Sequence, residues 1–396
     1  MLKEKIQSLA EDYHQEAINI RRHLHRHPEL SFKETATGQY ILQKLKEYGI
    51  ACQKGWGGGT GIVAMIKGNG PKTIALRADM DALPIVEKND VPYKSCHEGV
   101  MHACGHDVHV ASLLGAAKIL QNIREELNGN IKLIFQPGEE KLPGGASILI
   151  EEGVLKNPTP GAIFGQHVHP PLEVGKAGFR SGTYMGSADE LYVTVKGKGG
   201  HSALPHDCID PVLIASQIVI GLQQIVSRST NPAIPAVLSF GKMNTIGGAT
   251  NVIPNEVKLE GTFRTMNEEW RTEARFKMKK MAEGIAQSMG GSCDFLIVKG
   301  YPCLQNDAAL TARARAWAAA YLGKNNVVEL PVRLTAEDFA FYSQIVPACF
   351  YRLGTANPAK GITSAVHTDT FDVDEDCLKT GMGLMSWLAV NELKRG

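Results

Sequence analysis

The sequence predicts an α/β protein in two parts: a three-layer outer portion that is discontinuous along the chain, and a smaller ferredoxin-like α+β unit inserted into it. Three observations carry this. Strand and helix patterns alternate through the first half, which places helices on the faces of a mostly parallel sheet. The middle of the chain changes to the order βαββαβ, that of a ferredoxin-like unit. And 396 residues exceed what one ordinary core supports, so two domains, or one with a large insertion, are expected. The outer portion is assigned to residues 1–186 and 300–396, the insertion to 187–299.

The elements follow in order. Residues 6–27 pattern as an amphipathic helix. Residues 31–48 pattern as a second, and its opening Ser31-Phe32-Lys33-Glu34 has capping-box spacing. Residues 61–67 and 73–77 read as strands with glycine and proline between them. Asp79-Met80-Asp81-Ala82-Leu83-Pro84 follows directly, where acidic residues are well placed for a site at a sheet edge. Residues 101–122 turn from a His-rich loop into a helix at about Asp107. Residues 131–135 form a short apolar strand that runs into Gln136-Pro137-Gly138-Glu139-Glu140, and 162–166 form another that ends at His167. In the insertion, strands are expected at 191–196, 236–243, 256–264 and 292–298, with helices at 210–227 and 268–289. Residues 303–396 return to α/β character. No internal repeat or low-complexity segment is present.

Composition excludes several classes. Lys plus Arg is 42 and Asp plus Glu 41, a formal charge of +1, so nothing points to nucleic acid or to a polybasic membrane surface. The first twenty residues are charged and carry no secretory pattern. No apolar run approaches the ~18 residues of a membrane helix, and the most apolar helical stretch, 108–120, contains Ser112 and Lys118. A cytoplasmic location is expected. The eight cysteines are scattered without a CxxC pair, which argues against a disulfide framework. Most are expected to be small buried hydrophobes, with Cys104 set apart by its neighbours.

His102-Ala103-Cys104-Gly105-His106-Asp107-Val108-His109 holds five metal-type donors in eight residues. Cys104-x-His106 lets two side chains converge, and Gly105 removes one that would crowd a cation. A His-rich surface loop or a helix cap is the plainer reading. Glu139-Glu140 ends an apolar strand, and neighbours on an extended segment diverge, so one carboxylate can bind metal while the other faces substrate; a solvated loop is the alternative. His167 and His367 are each weak alone and gain weight only from the set.

The ordered motifs resemble the M20 metallopeptidase family, in its aminoacylase, hippurate hydrolase, N-acetyldiaminopimelate deacetylase and auxin-conjugate hydrolase branch. The residues that carry the resemblance are Arg77–Pro84, the run 102–109, Gly138-Glu139-Glu140, Gly165-Gln166-His167, Gly199-Gly200-His201-Ser202-Ala203, Asn251-Val252-Ile253-Pro254 and Glu337-Asp338-Phe339. It spans essentially the whole chain. It implies a zinc-peptidase-like catalytic domain with an inserted lid or dimerisation domain. It implies two divalent ions, zinc or manganese with cobalt or nickel as further choices, held by Cys104, His106, Glu140, His167 and His367, with Cys104 as a bridging thiolate. Glu139 is implied as general base. Broader members carry His-x-Asp where this chain has Asp79-Met80-Asp81, so the first position has lost its histidine and Asp81 is left to orient a neighbour.

The implied reaction is hydrolysis of the amide bond of an N-acyl amino acid. His201 resembles a family residue that reaches from the inserted domain into an active site, its own or a partner's, and Asn251 joins it as an oxyanion clamp. Arg264 has the fork to pair with a substrate carboxylate and is equally read as an ordinary strand residue. A homodimer through the inserted domain is expected, with lid closure about residues 187 and 299. Specificity is expected from loops 142–146, 184–187, 247–249 and 354–364. Two rivals remain: a dipeptidase or aminopeptidase of the same superfamily, and a non-catalytic binding protein on this scaffold.

Overall fold

A computed structural model describes residues 2–395. The chain divides into two compact units. The larger comprises Met1–Gly182, Gln305–Pro331 and Asp338–Gly396; the smaller comprises Thr183–Leu304 and Val332–Glu337.

The larger unit is a mixed α/β fold around an eight-stranded sheet. Its strands lie in the order Ala51–Trp56, Gly61–Ile66, Asn130–Gln136, Thr73–Asp79, Ile163–Glu173, Ala348–Ala356, Ala177–Phe179 and Val327–Glu329. Thr73–Asp79 runs parallel to both its neighbours, and Ile163–Glu173 runs parallel to Ala348–Ala356. Side chains alternate across such a sheet. Ile74, Leu76 and Ala78 join Ile131, Leu133 and Phe135 in a core with the helices His106–Asn122, Asp376–Lys394, His14–Arg26 and Leu2–Asp12. Arg77 and Gln136 point to the other face, where Asp338 meets both. The helix His106–Asn122 is buried nearly all round, the pattern of a central helix rather than a surface one.

The smaller unit has the element order βαββαβ. Its four antiparallel strands lie as Ala236–Ile246, Glu256–Thr265, Asp189–Lys196 and Ser292–Lys299, with helices Pro211–Gln224 and Glu268–Ser288 packed on them. This is the ferredoxin-like strand order. Arg271 is fully buried and ties the second helix to the sheet through Asp189 at 2.6 Å and Gly300 O at 3.1 Å.

Several expectations are corrected. The first helix is two, Leu2–Asp12 and His14–Arg26. The helix placed at 31–48 begins at Thr35, and Ser31 and Glu34 do not form a capping box. Ser31 Oγ donates to Asp81, and Glu34 accepts from the backbone N–H groups of Phe32 and Gly138. The strand Ala51–Trp56 was not anticipated, because its side chains are largely exposed and carry no apolar alternation. The smaller unit begins at Thr183, ends at Leu304 and takes in Val332–Glu337, through contacts such as Arg333 N–H to Tyr184 O that no local pattern reveals. The helical stretch Pro211–Ser229 is long and apolar enough to cross a membrane by length and composition, contrary to the expectation of no such run. Its Ile214, Ala215, Ile218, Leu222 and Ile225 are buried in the smaller unit's own core.

Candidate metal centre

Parallel strands deliver functional residues to one edge, since their carboxyl ends align. Asp79 and Gln136 are register partners on adjacent parallel strands, and Pro137-Gly138-Glu139-Glu140 continues from the second. His167 lies within the next strand, which runs on to Glu173 rather than ending at it. Cys104 sits just before the helix that starts at His106. Gly105 between them has φ 80°, and a Cβ there would lie 2.7 Å from Val168. The glycine is required by backbone conformation and by Val168, not by crowding around a cation.

Cys104, His106, Glu140, His167 and His367 converge. Cys104 Sγ lies 3.4 Å from His167 Nε2 and 3.3 Å from His367 Nε2. Glu140 Oε1 is 3.2 Å from His367 Nε2 and 4.0 Å from His106 Nε2. Two donor triads result, Cys104–His106–His167 and Cys104–Glu140–His367, each with its atoms within 4.8 Å of one another and sharing the sulfur.

Hydrogen bonds set the direction of each imidazole. His167 Nδ1 donates to Val168 O at 2.7 Å, which leaves its Nε2 lone pair toward Cys104. His106 Nδ1 faces Asp81 Oδ1 at 3.2 Å, and its buried Nε2 has no hydrogen-bond partner. Asp81 Oδ2 accepts from Ser31 Oγ at 2.6 Å and from Glu140 N–H at 3.0 Å, so one carboxylate orients two members of the cluster. His367 has φ 63° and donates its N–H to Ala103 O at 2.7 Å. A left-handed backbone at a non-glycine is strain of the kind found at functional sites.

The donors fit a divalent cation. Metal bonds of about 2.0–2.3 Å in a tetrahedral arrangement put donors ~3.3–3.8 Å apart, close to the separations here. The charges agree. Burial opposes protonation of His106, yet Asp79 and Cys104 hold its pKa well above the ordinary value. His367 is pushed up to about 10 by its hydrogen bonds to Cys104 and Glu140. Burial and Glu140 push the Cys104 thiol up, which pulls against the His367 shift. Burial and Arg352 hold His167 well below the ordinary value, so it meets the sulfur as a neutral ring, and the positive charge in the cluster is that of His106 and His367. The cluster is therefore built for positive charge.

Only two of the five donors in the run 102–109 enter this cluster. His109 Nδ1 donates to Asp79, and its Nε2 accepts Val168 N–H at 2.9 Å, so both nitrogens are used. Asp107 accepts from Arg21 and His25 at 2.8 Å each. His102 is buried with neither ring nitrogen bonded.

Glu139 is 7% exposed and accepts from Asp338 N–H at 3.4 Å. The Asp338 carboxylate accepts from Arg77 at 2.7 Å, from Gln136 at 2.7 and 2.8 Å and from Ala146 N–H at 3.0 Å. Arg77 also holds Asp79 at 2.6 Å, whose pKa is lowered well below the ordinary value by Arg77, His106 and His109 against the effect of burial. Sequence reasoning named the segment around Asp338 and assigned it no role. The signal was a buried Arg77 on an apolar strand, which must have an anion to meet.

Glu34 was missed as well. It is buried, accepts Gly138 N–H at 2.8 Å and Thr60 Oγ at 2.9 Å, and is raised to about 7 by burial and by Asp81. It braces the loop that carries Glu139. Gly138 has φ 61°, and a Cβ there would lie 2.4 Å from the Phe32 ring.

In the smaller unit, His201 and Asn251 come together. Gly200–His201 pairs with Val252–Ile253, and Ser202 N–H donates to Asn251 O at 3.1 Å. Ala203 N–H donates to His201 Nδ1 at 3.1 Å, so in the neutral ring the proton is on the exposed Nε2. Arg264 donates to Leu334 O at 3.2 Å, and burial lowers its pKa.

Residues 75–391 match the family described as Peptidase family M20/M25/M40. An N-acetylcysteine deacetylase of Bacillus subtilis is 41% identical over 380 residues, 96% of this chain and 97% of the relative. Thermostable carboxypeptidase 2 of Saccharolobus solfataricus is 38% identical over 392 residues, 98% of each chain. Among solved structures, the Bacillus subtilis YXEP protein, described as a dinuclear metal binding peptidase from the M20 family, superposes with a TM-score of 0.84 at 38% identity, covering 97% of this chain and 99% of its own.

Proposed function

Because the chain belongs to peptidase family M20/M25/M40 and is a metal-dependent hydrolase of amide bonds, we propose that it cleaves N-acyl amino acids to a carboxylate and a free amino acid. The observation that carries the reading is the pair of donor triads sharing Cys104, with Glu139 beside them. Its similarity to an N-acetylcysteine deacetylase supports the substrate class.

Two divalent ions are proposed, which Cys104, His106, Glu140, His167 and His367 would hold. The dinuclear metal binding described for the YXEP protein supports two. When bound, they supply Lewis acidity to the amide carbonyl and acidity to an attacking water. Glu139 takes the proton from that water and returns it to the leaving nitrogen; a positioned base or acid is worth ~10²–10⁴-fold. Asp338 N–H holds one carboxylate oxygen of Glu139. Asp81 orients His106 and fixes the start of Glu140. His201, with its Nε2–H exposed, and Asn251 are proposed as donors to the developing oxyanion, and Arg264 as a partner for the substrate carboxylate. A homodimer through the smaller unit is also proposed. Its edge strands expose Val237, Met243, Ile246 and Leu296, and a monomer mass in light scattering refutes it.

The test is amine release from a panel of N-acyl amino acids, with and without chelator, by wild type and Glu139→Gln. Chelator-sensitive release that the variant loses supports the reading. The carboxypeptidase relative favours a second one, release of a C-terminal residue from longer peptides; turnover of those alone replaces the first.

A further inference from the structure

A second group of metal-type donors lies on the surface of the larger unit. His27 follows the helix His14–Arg26, and Cys96 and His97 lie on the loop that leads into the donor run. Their ligand atoms lie within 4.8 Å of one another, and Cys96 Sγ is 3.2 Å from His27 Nδ1. His27 is half-buried, while Cys96 and His97 are exposed. The expectation that most cysteines are buried hydrophobes fails here. An exposed thiol between two histidines has no packing role.

Backbone groups on either side of His27 hold the arrangement. Cys96 N–H donates to Arg26 O at 2.9 Å, and the His97 ring bonds Pro28 O through Nδ1 at 2.9 Å. A carbonyl oxygen only accepts, so Nδ1 carries the proton and Nε2 keeps its lone pair. An imidazole anchored this way through its other nitrogen is how metal-ligating histidines are oriented. The loop is pinned in turn by Ser95 N–H to Glu87 at 2.7 Å and His97 N–H to Ser95 Oγ at 3.1 Å. The three donors thus sit on two chain segments already tied together.

We propose that His27, Cys96 and His97 form a cation site separate from the centre around Cys104. One sulfur and two imidazole nitrogens suit a borderline ion, zinc above all, with the fourth position open to solvent. The sulfur binds as a thiolate, its proton passing to solvent. An ion here clamps residues 95–97 to the end of the first long helix.

The test is titration of the metal-free full chain with zinc against a chromophoric chelator, for wild type, Cys96→Ser and His97→Ala. Wild type is expected to bind one equivalent more than either variant, or to hold it at least ~10-fold more tightly, with binding at the other centre unchanged. Cobalt gives a second readout: its thiolate absorption band falls in Cys96→Ser and not in the control Cys52→Ser. Equal stoichiometry and affinity in all three proteins, or a cobalt band unaltered by Cys96→Ser, overturns the proposal and leaves a thiol–imidazole hydrogen bond.

Discussion

Replacing Asp81 by asparagine tests whether this carboxylate aims His106. Asp81 has two acceptor oxygens, both in use: Oδ1 toward His106 Nδ1 and Oδ2 toward Ser31 Oγ and Glu140 N–H. Asparagine keeps the shape and offers one acceptor. If its oxygen stays with Glu140 N–H, its NH₂ meets His106 Nδ1–H, and the ring must move its proton to Nε2 and lose the ligating lone pair. If the amide flips, Glu140 N–H loses its acceptor. Either way one largely buried donor is unpaired, at about 1–3 kcal/mol, or ~5–150-fold at about 1.4 kcal/mol per decade. Loss of an orienting partner typically costs metal affinity ~10–100-fold, and we expect that range. Chelator competition measures it, with hydrolysis at saturating metal and the denaturation midpoint of the metal-free protein as controls. Wild-type metal affinity in Asp81→Asn refutes the orienting role.

Cys104→Ala removes the donor common to both triads, so bound metal and hydrolysis should disappear together; full activity in the metal-depleted variant sinks the centre. Glu34 makes stability fall as pH rises. Its folded pKa of about 7 lies above the ordinary 4.5, so its contribution is present below about 4.5 and lost as pH climbs through 7. Glu34→Gln should therefore gain on wild type across that window, by on the order of 3 kcal/mol. Thermal midpoints that differ by the same amount at pH 4.5 and pH 8 would refute this. Lys132 Nζ donates to the carbonyls of Val154, Lys156 and Pro158 at 2.7–2.9 Å. Lys132→Met strands them and should lower stability by ~2 kcal/mol in denaturant titration; an unchanged midpoint means that water replaces the ammonium.

The donor cluster was legible because chemistry concentrates there locally. Cys104 and His106 are two residues apart, and Glu139-Glu140 follow an apolar strand. What a run of donors cannot show is which of them are already engaged. His109 and Asp107 have the right chemistry, but residues far along the chain engage them: Asp79 accepts the His109 Nδ1–H, Val168 N–H takes its Nε2 lone pair, and Arg21 meets the Asp107 charge. Ser31 and Glu34 fail for the same reason. The spacing of a capping box is identical whether the glutamate turns back to its own helix or across to Gly138. The βαββαβ order was legible because each element alternates or repeats by itself. Recruitment of Val332–Glu337 was not, since it depends on pairing with residues nearly 150 positions away, Arg333 with Tyr184.

The parallel pairing of Ile163–Glu173 with Ala348–Ala356 also has a meaning in time. Synthesis runs from the N-terminus, and domains generally fold as units as they emerge. Nearly all of the smaller unit lies in the continuous stretch Thr183–Leu304, so its sheet can assemble while the larger one still waits for a central strand. Cys104, His106, Glu140 and His167 are translated long before that strand arrives, and His367 comes after it. Long-range parallel pairing is slow to form, so the nascent larger unit is the vulnerable intermediate. A product truncated before residue 348 carries four of the five donors and lacks the frame that gathers them. Chain order thus acts as a completeness check: only a ribosome that has read past His367 yields a protein able to assemble the whole cluster.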